Sequence, residues 1–404
     1  HLLPSERRND PPVQNRVLSR GKVEKLMPNM GGRTVLTNLG LNKEKQFFLS
    51  NPDYLQQFDA LYVPQNLDLL KSYAVYQVYS GFAPSADIKL RDLQRNYALQ
   101  RFGIAQARDD KETASRMVQS MLSYEFGQIY MKNHCTAAII NDVKNMVNEI
   151  RNVYKLRLEA NNWLSPETRG KAVDKLNSLR VFVGGPAADD KPIIESMPDV
   201  ISPKDGGDLL ANVMHNGVLE KQQVHALLGK DFNPDKWYAF DPQDVNAAYI
   251  PENNSITIPA GILQPPFYDA KASRGANLGG IGVVIGHEIS HAFDPNGSKY
   301  DSEGRLKNWW NKKDYEAFQK LSAAFGPYYD AYPLGQGLHE NGKLVSNEAI
   351  ADCGGLSVAT ELAHGDEGTL RDLYRTFATV FATKMTDQLL LYLVQNDPHP
   401  TGEA

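Results

Sequence analysis

Two histidines four residues apart, with a glutamate directly after the first, are the residues of this sequence best placed for chemistry. They are His287, Glu288 and His291, in the pattern H-E-x-x-H. Positions i and i+4 share one face of an α-helix, so both imidazoles could bind one zinc ion at about 2.0–2.1 Å. Glu288 would lie roughly 100° round the helix from His287, within reach of a water molecule on that ion. The alternative is an ordinary helix whose histidines bind nothing.

A catalytic zinc site of this kind needs a third protein ligand and keeps the fourth position for water. The extended pattern H-E-x-x-H-x-x-G-x-x-H is excluded, because Asp294 and Gly297 occupy the positions of its glycine and its last histidine. Asp294 could instead accept a hydrogen bond from the far ring nitrogen of His291, which would fix the orientation of that ligand. The other common third ligand is a glutamate on a later helix.

The stretch VSNEAIADCGG, residues 345–355, offers such a glutamate. A helix capped by Ser346 or Asn347 would place Glu348 and Asp352 on one face, at i and i+4. Glu348 could then bind the metal, and Asp352 could orient a ligand histidine. The alternative is that both are ordinary acids at a helix start, favoured there by the helix dipole. We prefer the ligand interpretation because of the histidine pattern upstream.

Four blocks of the sequence resemble the neprilysin-like zinc metallopeptidases of family M13, which include bacterial PepO-type endopeptidases. The blocks are VNAAYIPENNSITIPAGILQPPFYD, GGIGVVIGHEISHAFD, NEAIADCGG and NDPHP, and WLSPETRGKAVDKLNSL is also similar. The resemblance implies that one zinc ion is bound by His287, His291 and Glu348. It also implies that Glu288 is the catalytic base. Asp294 and Asp352 would orient the histidines. We therefore include Asp352 among the predicted catalytic residues.

The same resemblance assigns residues to the substrate. Asn246 and the backbone of Ala247 would hold the substrate main chain extended, like a strand at a sheet edge. His399 would stabilise the oxyanion of the tetrahedral intermediate. The side chain after the scissile bond would enter an apolar pocket. Its residues would be Ile262, Phe267, Val283, Val284, Val380 and Phe381, the last standing where the family usually has tryptophan.

The resemblance further implies a mainly α fold with a smaller β part (α+β), comprising a thermolysin-like zincin catalytic domain and an interwoven helical cap domain. Together these would enclose a chamber that admits oligopeptides. Residues 1–150 would be part of the cap, truncated at the N-terminus. Residues 151–404 would be mainly the catalytic domain with cap segments, truncated before a substrate-binding arginine that the family has beyond the position of His399.

Local patterns predict the elements that would position these residues. Apolar residues spaced at i, i+3, i+4 and i+7 predict helices from about 40 to 160. Ser165 followed by Pro166 is a helix start, and VNAAYIPENNSITIP is typical of a hairpin. The apolar run at 389–394 predicts a buried helix or strand.

Bulk composition excludes several classes of function. A length of 404 residues favours two domains. A net charge of −5 predicts no nucleic-acid partner and no polybasic membrane patch, and no apolar run approaches the roughly 18 residues of a membrane span. Two cysteines favour a reducing compartment and, with the resemblance, a bacterial cytoplasm. The alternative is an extracytoplasmic location with a targeting segment outside this sequence. The oligomeric state stays open.

Together these observations predict a zinc endopeptidase that cleaves oligopeptides on the amino side of hydrophobic residues. One rival is a non-catalytic peptide-binding protein of the same fold, which would have no need of Glu288. A second rival is an aminopeptidase, which would need an acidic anchor for the free amine of its substrate.

Overall fold

The structure is a computed structural model that describes residues 16–49, 51–104, 108–187, 200–335, 337–402 and 404. Helices account for most of these residues. The helices of the first half are α1 (Arg20–Lys25), α2 (Gly32–Asn38), α3 (Pro52–Ala60), α4 (Leu67–Ala86), α5 (Ile88–Phe102), α6 (Asp110–Met121), α7 (Ser123–His134), α8 (Ala137–Glu159) and α9 (Pro166–Asn177). Those of the second half are α10 (Leu209–Ala226), α11 (Arg274–Asn277), α12 (Val283–Ser290), α13 (Lys312–Ser322), α14 (Phe325–Asp330), α15 (Gly342–Leu362), α16 (Glu367–Phe381) and α17 (Asp387–Asn396).

The strands of the described residues form small sheets. They are β1 (Arg16–Ser19), β2 (Gln46–Leu49), β3 (Arg180–Gly184), β4 (Ala248–Ile250), β5 (Ser255–Pro259), β6 (Pro333–Gly335) and β7 (Leu338–His339). Strands β1 and β2 pair with each other, as do β6 and β7, while the three-stranded sheet has the order β3-β5-β4. In that sheet β5 is parallel to β3 and antiparallel to β4, which leaves β4 at an edge.

The chain divides into two compact units, each made of several chain segments. The first contains the described residues up to Arg108, those from 200 to Lys230, and Thr386–Leu389. The second contains those from Asp109 to 187, Asp231–Met385 and Leu390–Ala404. The first break between the two units falls after Arg108. The boundary at residue 150, expected between cap and catalytic domains, lies inside α8 and stays a prediction. Periodicity predicts that α8 is a helix, but it does not indicate which core the helix packs on.

The core of the second unit forms around α8, α12 and the inner strand β5. Val143, Val147 and Ile150 of α8 are fully buried. They belong to one cluster with Ile285 and Ile289 of α12, each also at 0% exposure. Burying an aliphatic side chain of this size contributes about 1.5–3 kcal/mol. The helix that carries the H-E-x-x-H pattern is therefore one of the most firmly held elements of this unit.

The predicted hairpin and the predicted helix start are both confirmed. Strands β4 and β5 pair in antiparallel register, with Tyr249 opposite Ile256. The turn between them ends at Asn254, whose φ of 47° is left-handed, a conformation that asparagine tolerates better than most residues. The Ser165 hydroxyl accepts a hydrogen bond from the Thr168 amide at 3.3 Å and caps α9.

The apolar run at 389–394 was expected to be buried, and this expectation is wrong. The run is helical, within α17, but Leu391 is 44% exposed and Tyr392 is 37% exposed. An apolar run in a sequence shows that burial would be favourable, but only the neighbouring elements determine whether it happens. No helix within the described residues combines the length and the apolar character needed to cross a membrane.

Candidate metal centre

His287 and His291 direct their Nε2 atoms at each other. His287 lies in α12, and His291 is the first residue beyond its end. Their Nε2 atoms are 2.9 Å apart, and the two rings are nearly perpendicular, at 86°. Both side chains are largely buried, with 13% and 15% exposure. The helical spacing therefore brings two imidazole nitrogens to one point.

Glu348 reaches the same point from α15. Its Oε2 atom lies 3.3 Å from Nε2 of His287 and 3.1 Å from Nε2 of His291. This oxygen is buried and makes no hydrogen bond within the described residues. A buried carboxylate oxygen without a partner is unfavourable unless it interacts with a cation. The structure thus brings together the three residues that the sequence analysis assigned as ligands.

The helix that carries Glu348 begins earlier than predicted. Helix α15 starts at Gly342, and the Asn341 side chain caps it by accepting a hydrogen bond from the Leu344 amide at 3.2 Å. The predicted cap at residue 346 or 347 is wrong, because those residues already lie within the helix. Glu348 and Asp352 are therefore beyond the first turn, where the effect of the helix dipole has decayed. Their interpretation as ordinary helix-start acids loses its physical basis.

Asp352 and Asp294 each contact the Nδ1 atom of one imidazole, on the side of the ring that faces away from the metal centre. Asp352 Oδ1 lies 2.8 Å from Nδ1 of His287, and Asp294 Oδ2 lies 2.7 Å from Nδ1 of His291. An ionised carboxylate only accepts hydrogen bonds, so each Nδ1 is the donor. In a neutral imidazole this leaves the Nε2 atom with a lone pair directed at the metal centre.

Three lone-pair-bearing atoms at these distances repel one another unless a cation lies between them. The carboxylates around the two imidazoles favour a positive charge there, and the pKa values reflect this. Burial alone would lower the pKa of His287, but Asp352 and Glu348 outweigh it and raise that pKa to about 9. The pKa of His291 is also raised, against the effect of burial, by Asp294 and Glu348. The two imidazoles in turn hold the pKa of Glu348 well below its usual range, although burial opposes this.

The donor set fits a zinc ion. Two imidazole nitrogens and one carboxylate oxygen are a recognised ligand set of catalytic zinc. With metal–ligand bonds of about 2.0–2.1 Å, tetrahedral ligand atoms are about 3.3 Å apart. The three distances here are 2.9, 3.1 and 3.3 Å, so a small outward movement of the ligand atoms, by a few tenths of an ångström, would make room for the ion.

Glu288 lies beside the metal centre but is not the best third ligand. One of its carboxylate oxygens lies within 4.8 Å of a ring nitrogen of each histidine. That spacing alone would also allow a metal group of His287, Glu288 and His291. The Glu348 oxygen is closer to both Nε2 atoms, at 3.1 and 3.3 Å, and is therefore the better ligand. Glu288 is 6% exposed and is not needed as a ligand.

Two glycines allow the ligand helices to approach closely. A Cβ atom on Gly286 of α12 would come within 2.8 Å of the Cα of Gly355 in α15. A Cβ atom on Gly355 would come within 2.5 Å of the Val283 carbonyl oxygen and within 2.7 Å of the His287 amide nitrogen. Any larger side chain at either position would push Glu348 away from the histidines.

His399 also lies near this centre, although it is far from the two other histidines in the sequence. Its Nε2 atom lies 3.5 Å from Oε2 of Glu348, while its Nδ1 atom donates a hydrogen bond to Asp397 Oδ1 at 2.8 Å. This hydrogen bond raises the pKa of His399. The side chain is 60% exposed, in contrast to those of His287 and His291, which are largely buried. A protonated imidazole at this position can donate a hydrogen bond to a group next to the metal.

Asn246 and Ala247 immediately precede the edge strand β4. Asn246 is exposed and Ala247 is half-buried. The Asn246 Oδ1 atom accepts a hydrogen bond from the Ala247 amide at 2.9 Å. The side of β4 that faces away from β5 is an edge that an extended peptide could join.

The residues assigned to the specificity pocket fall into two groups. Ile262 and Val283 are core residues, with exposures of 4% and 1%, so packing accounts for them. The remaining four are only partly buried: Phe267, Val284, Val380 and Phe381. Burial alone does not decide which of the six line a pocket, so the assignment of all six stays a prediction.

The sequence analysis missed two residues that support the site. Asp397 holds His399, and the Asp-x-His spacing could have indicated this contact. The Tyr154 hydroxyl of α8 donates to the Gly286 carbonyl oxygen at 2.9 Å and lies 2.5 Å from Ser290 Oγ, which fixes α12 from outside. No local signal points to Tyr154, because its partners are more than a hundred residues away.

A helix pair that presents two histidines and a glutamate to one point, beside an edge strand, defines a zinc-metallopeptidase type of fold and site. Two models of "Peptidase family M13" match this sequence, over residues 1–186 and 246–404. Together they cover most of the chain, which therefore belongs to peptidase family M13.

Known relatives agree with this assignment. The "Neutral endopeptidase" of Lactococcus lactis subsp. lactis is 30% identical over 374 residues, which cover 92% of this chain and 58% of that protein. The crystal structure of PepO from Lactobacillus rhamnosis HN001 is 31% identical, with a TM-score of 0.89, and covers 99% of this chain and 63% of that one. Mycobacterium tuberculosis zinc metalloprotease Zmp1, solved with an inhibitor, is 27% identical with a TM-score of 0.87, over 99% of this chain and 62% of that one.

These structures confirm the predicted fold class, mainly α with a smaller β part and a zincin catalytic domain. The chain spans less than two thirds of the length of each of these three relatives.

Proposed function

We propose that this chain carries the active site of an endopeptidase that binds one zinc ion and hydrolyses short peptides on the amino side of hydrophobic residues. One observation carries the proposal: Nε2 of His287, Nε2 of His291 and Oε2 of Glu348 lie within 3.3 Å of one another. Two carboxylates behind the histidines fix their tautomers for metal binding. The relatives named neutral endopeptidase and zinc metalloprotease support the same class of reaction.

The three converging atoms would hold the zinc ion. When bound, zinc lowers the pKa of a coordinated water molecule and polarises the carbonyl of the scissile peptide. Glu288 would accept a proton from the attacking water and deliver it to the nitrogen of the leaving amine. Its burial beside both imidazoles supports this role, because a carboxylate there is close to the metal without serving as a ligand.

His399 would stabilise the negative charge that develops on the substrate carbonyl oxygen. Asp397 raises the pKa of His399, which favours the protonated form that can donate from Nε2. That atom already lies 3.5 Å from the ligand oxygen of Glu348. A donor aimed at a developing oxyanion acts mainly in the transition state.

The substrate would lie extended along the edge of β4. Asn246 would bind its main chain through the side-chain amide, and Ala247 through its backbone. Four partly buried apolar residues would surround the side chain after the scissile bond, namely Phe267, Val284, Val380 and Phe381. An apolar environment of this kind favours a large hydrophobic residue at that position of the substrate.

The substitution Glu288→Gln tests the proposal. The amide keeps the size of the side chain but cannot accept the proton, so zinc should stay bound while peptide hydrolysis falls by roughly 10²–10⁴-fold. Zinc content and the cleavage of a fluorogenic peptide would be measured on the same sample. Glu316→Gln is the matched control, because Glu316 is exposed on α13 and should leave both values unchanged.

The peptide should carry an acetylated N-terminus and an amidated C-terminus. Cleavage of this blocked peptide is expected for an endopeptidase, whereas an aminopeptidase requires the free amine and would leave it intact. Full turnover by Glu288→Gln would refute the assigned base. Zinc binding without hydrolysis by the unmodified chain would favour the rival, a peptide-binding protein.

A further inference from the structure

Lys175 of α9 is a buried lysine whose ammonium group is surrounded by backbone carbonyls. Its side chain is 1% exposed. Nζ donates to the carbonyl oxygens of Ala292 at 2.8 Å, Gly297 at 2.7 Å and Tyr300 at 2.7 Å. A protonated lysine has three N–H donors, and here each one has its own acceptor. A neutral amine has only two, so this arrangement belongs to the charged form.

All three acceptors belong to one segment, residues 292–300, which we call the Asp294 loop. It follows directly after the ligand His291. Ala292 and Tyr300 are its two ends, and Gly297 lies between them. The ammonium group therefore joins both ends and the middle of the loop at one point. Among the described contacts of this loop, no other side-chain group from outside it binds it at three places.

The Asp294 loop orients one of the metal ligands. Oδ2 of Asp294 lies 2.7 Å from Nδ1 of His291, and Oδ1 accepts the amides of Asn296 at 2.7 Å and Gly297 at 2.6 Å. The same carboxylate is thus shared between the loop backbone and the ligand histidine. Any shift of the loop would move Asp294 and rotate the His291 ring.

The surroundings of Lys175 stabilise a positive charge. Its Nζ atom lies 5.8–5.9 Å from the ring centroids of Tyr249, Phe293 and Trp309, within the range of cation–π attraction. Burial lowers the pKa of Lys175 to about 7, and the nearby carboxylates of Asp294 and Asp301 oppose that fall. A lysine is normally found on the surface of a helix, so its burial here indicates a specific role.

We propose that Lys175 is a positioning residue of the metal centre, whose ammonium group holds the Asp294 loop so that Asp294 fixes His291 for metal binding. This inference rests on the proposed function, because it concerns the same zinc site. It assigns Lys175 no contact with substrate or metal. It predicts instead that the side chain acts through Asp294 alone.

The substitution Lys175→Met tests the proposal, because it keeps most of the volume and removes the charge. The zinc dissociation constant would be measured by competition with a chromophoric chelator, independently of peptide hydrolysis. Loss of an outer-shell contact typically weakens metal binding by roughly 10–100-fold, and we expect about tenfold here. Lys171→Met on the same helix is the matched control, since Lys171 is an exposed residue paired with Glu167.

A double-mutant cycle distinguishes positioning from general stability. In an Asp294→Asn background, Lys175→Met should weaken zinc binding little further, because the residue it acts through is already altered. In an Asp352→Asn background, the same substitution should retain its full effect, because Asp352 orients the other histidine. Equal effects in both backgrounds would overturn the proposal.

A chemical rescue provides a second variant. Lys175→Ala leaves a space that n-propylammonium matches atom for atom, and refolding with this amine should restore most of the zinc affinity. 1-Propanol has nearly the same shape without the charge and should restore little. Rescue by both compounds, or wild-type zinc affinity in either Lys175 variant, would overturn the proposal. A wild-type chain that binds no zinc would instead refute the proposed function, and this inference with it.

Discussion

Asp352 Oδ1 lies 2.8 Å from Nδ1 of His287, although the two residues are 65 positions apart in the sequence and belong to different helices. Asp294 makes the corresponding contact to His291 from only three residues away. The two histidines that we propose as zinc ligands are therefore held by equivalent carboxylates, which reach them in different ways. One contact depends on a loop, and the other depends on the packing of α12 against α15.

The first prediction concerns these two carboxylates. Asp352→Ala and Asp294→Ala should each lower zinc affinity by roughly 10–100-fold. Without its carboxylate partner, an imidazole no longer has a fixed tautomer and orientation. Only Asp294→Ala should also destabilise the fold clearly, because Asp294 accepts two loop amides as well. Chelator competition and urea unfolding of the same samples would measure both effects. Equal loss of stability in the two variants would contradict this division of roles.

The second prediction concerns the close contact between the ligand helices. Gly355→Ala would place a methyl group within 2.5 Å of the Val283 carbonyl oxygen, and overpacking of this kind costs about 1–3 kcal/mol. It should also weaken zinc binding, because α15 carries Glu348. Gly170→Ala is the control: this helical glycine has nothing within 4 Å of the added atom and should gain about 0.5–1 kcal/mol. Unfolding free energies would be compared, and an unchanged Gly355→Ala protein would disprove the packing argument.

The third prediction separates His399 from the metal ligands. His399→Phe should lower kcat by roughly 10²–10³-fold, as expected for loss of an oxyanion donor, while zinc affinity stays the same. Asp397→Asn should have a smaller effect, which is a shift in the pH dependence of kcat. Since Asp397 raises the pKa of His399, its loss should make activity decline at a lower pH. The measurements are kcat profiles against pH and zinc titrations, and zinc loss in His399→Phe would place that residue among the ligands instead.

The fourth prediction concerns pH and metal removal. Without zinc, burial disfavours the charged form of His287, but Asp352 and Glu348 outweigh burial and raise its pKa from 6.5 to about 9. A raised pKa stabilises the folded state fully below about pH 6.5, and this contribution is lost as pH rises to about 9. Zinc competes with the same protons, so zinc affinity should rise over this interval. Unfolding with chelator and with excess zinc, at several pH values, would reveal these opposite trends. A zinc affinity independent of pH would count against the histidine ligands.

Several parts of the site follow from local rules that the sequence contains. The spacing of His287 and His291 places both on one helix face, whatever the rest of the fold does. The hairpin of β4 and β5 and the Ser165 cap depend on neighbouring residues, so they were predictable as well. Local rules did not decide the role of Glu348, because the predicted helix start was wrong and an ordinary helix-start acid was the alternative. Only the observed start at Gly342 removed that alternative.

The sequence by itself determined the chemical types at the metal centre and the faces on which they lie, because helical periodicity and capping act over a few residues. Tertiary structure alone decided that Glu348 meets the histidines. That meeting depends on the close contact between Gly286 and Gly355, which lie on two helices far apart in the sequence. It also decided the burial of Lys175, which as a lysine in a helical pattern would be expected on the surface. Contacts of this kind depend on which segments pack together, and that choice belongs to the whole core rather than to any local stretch.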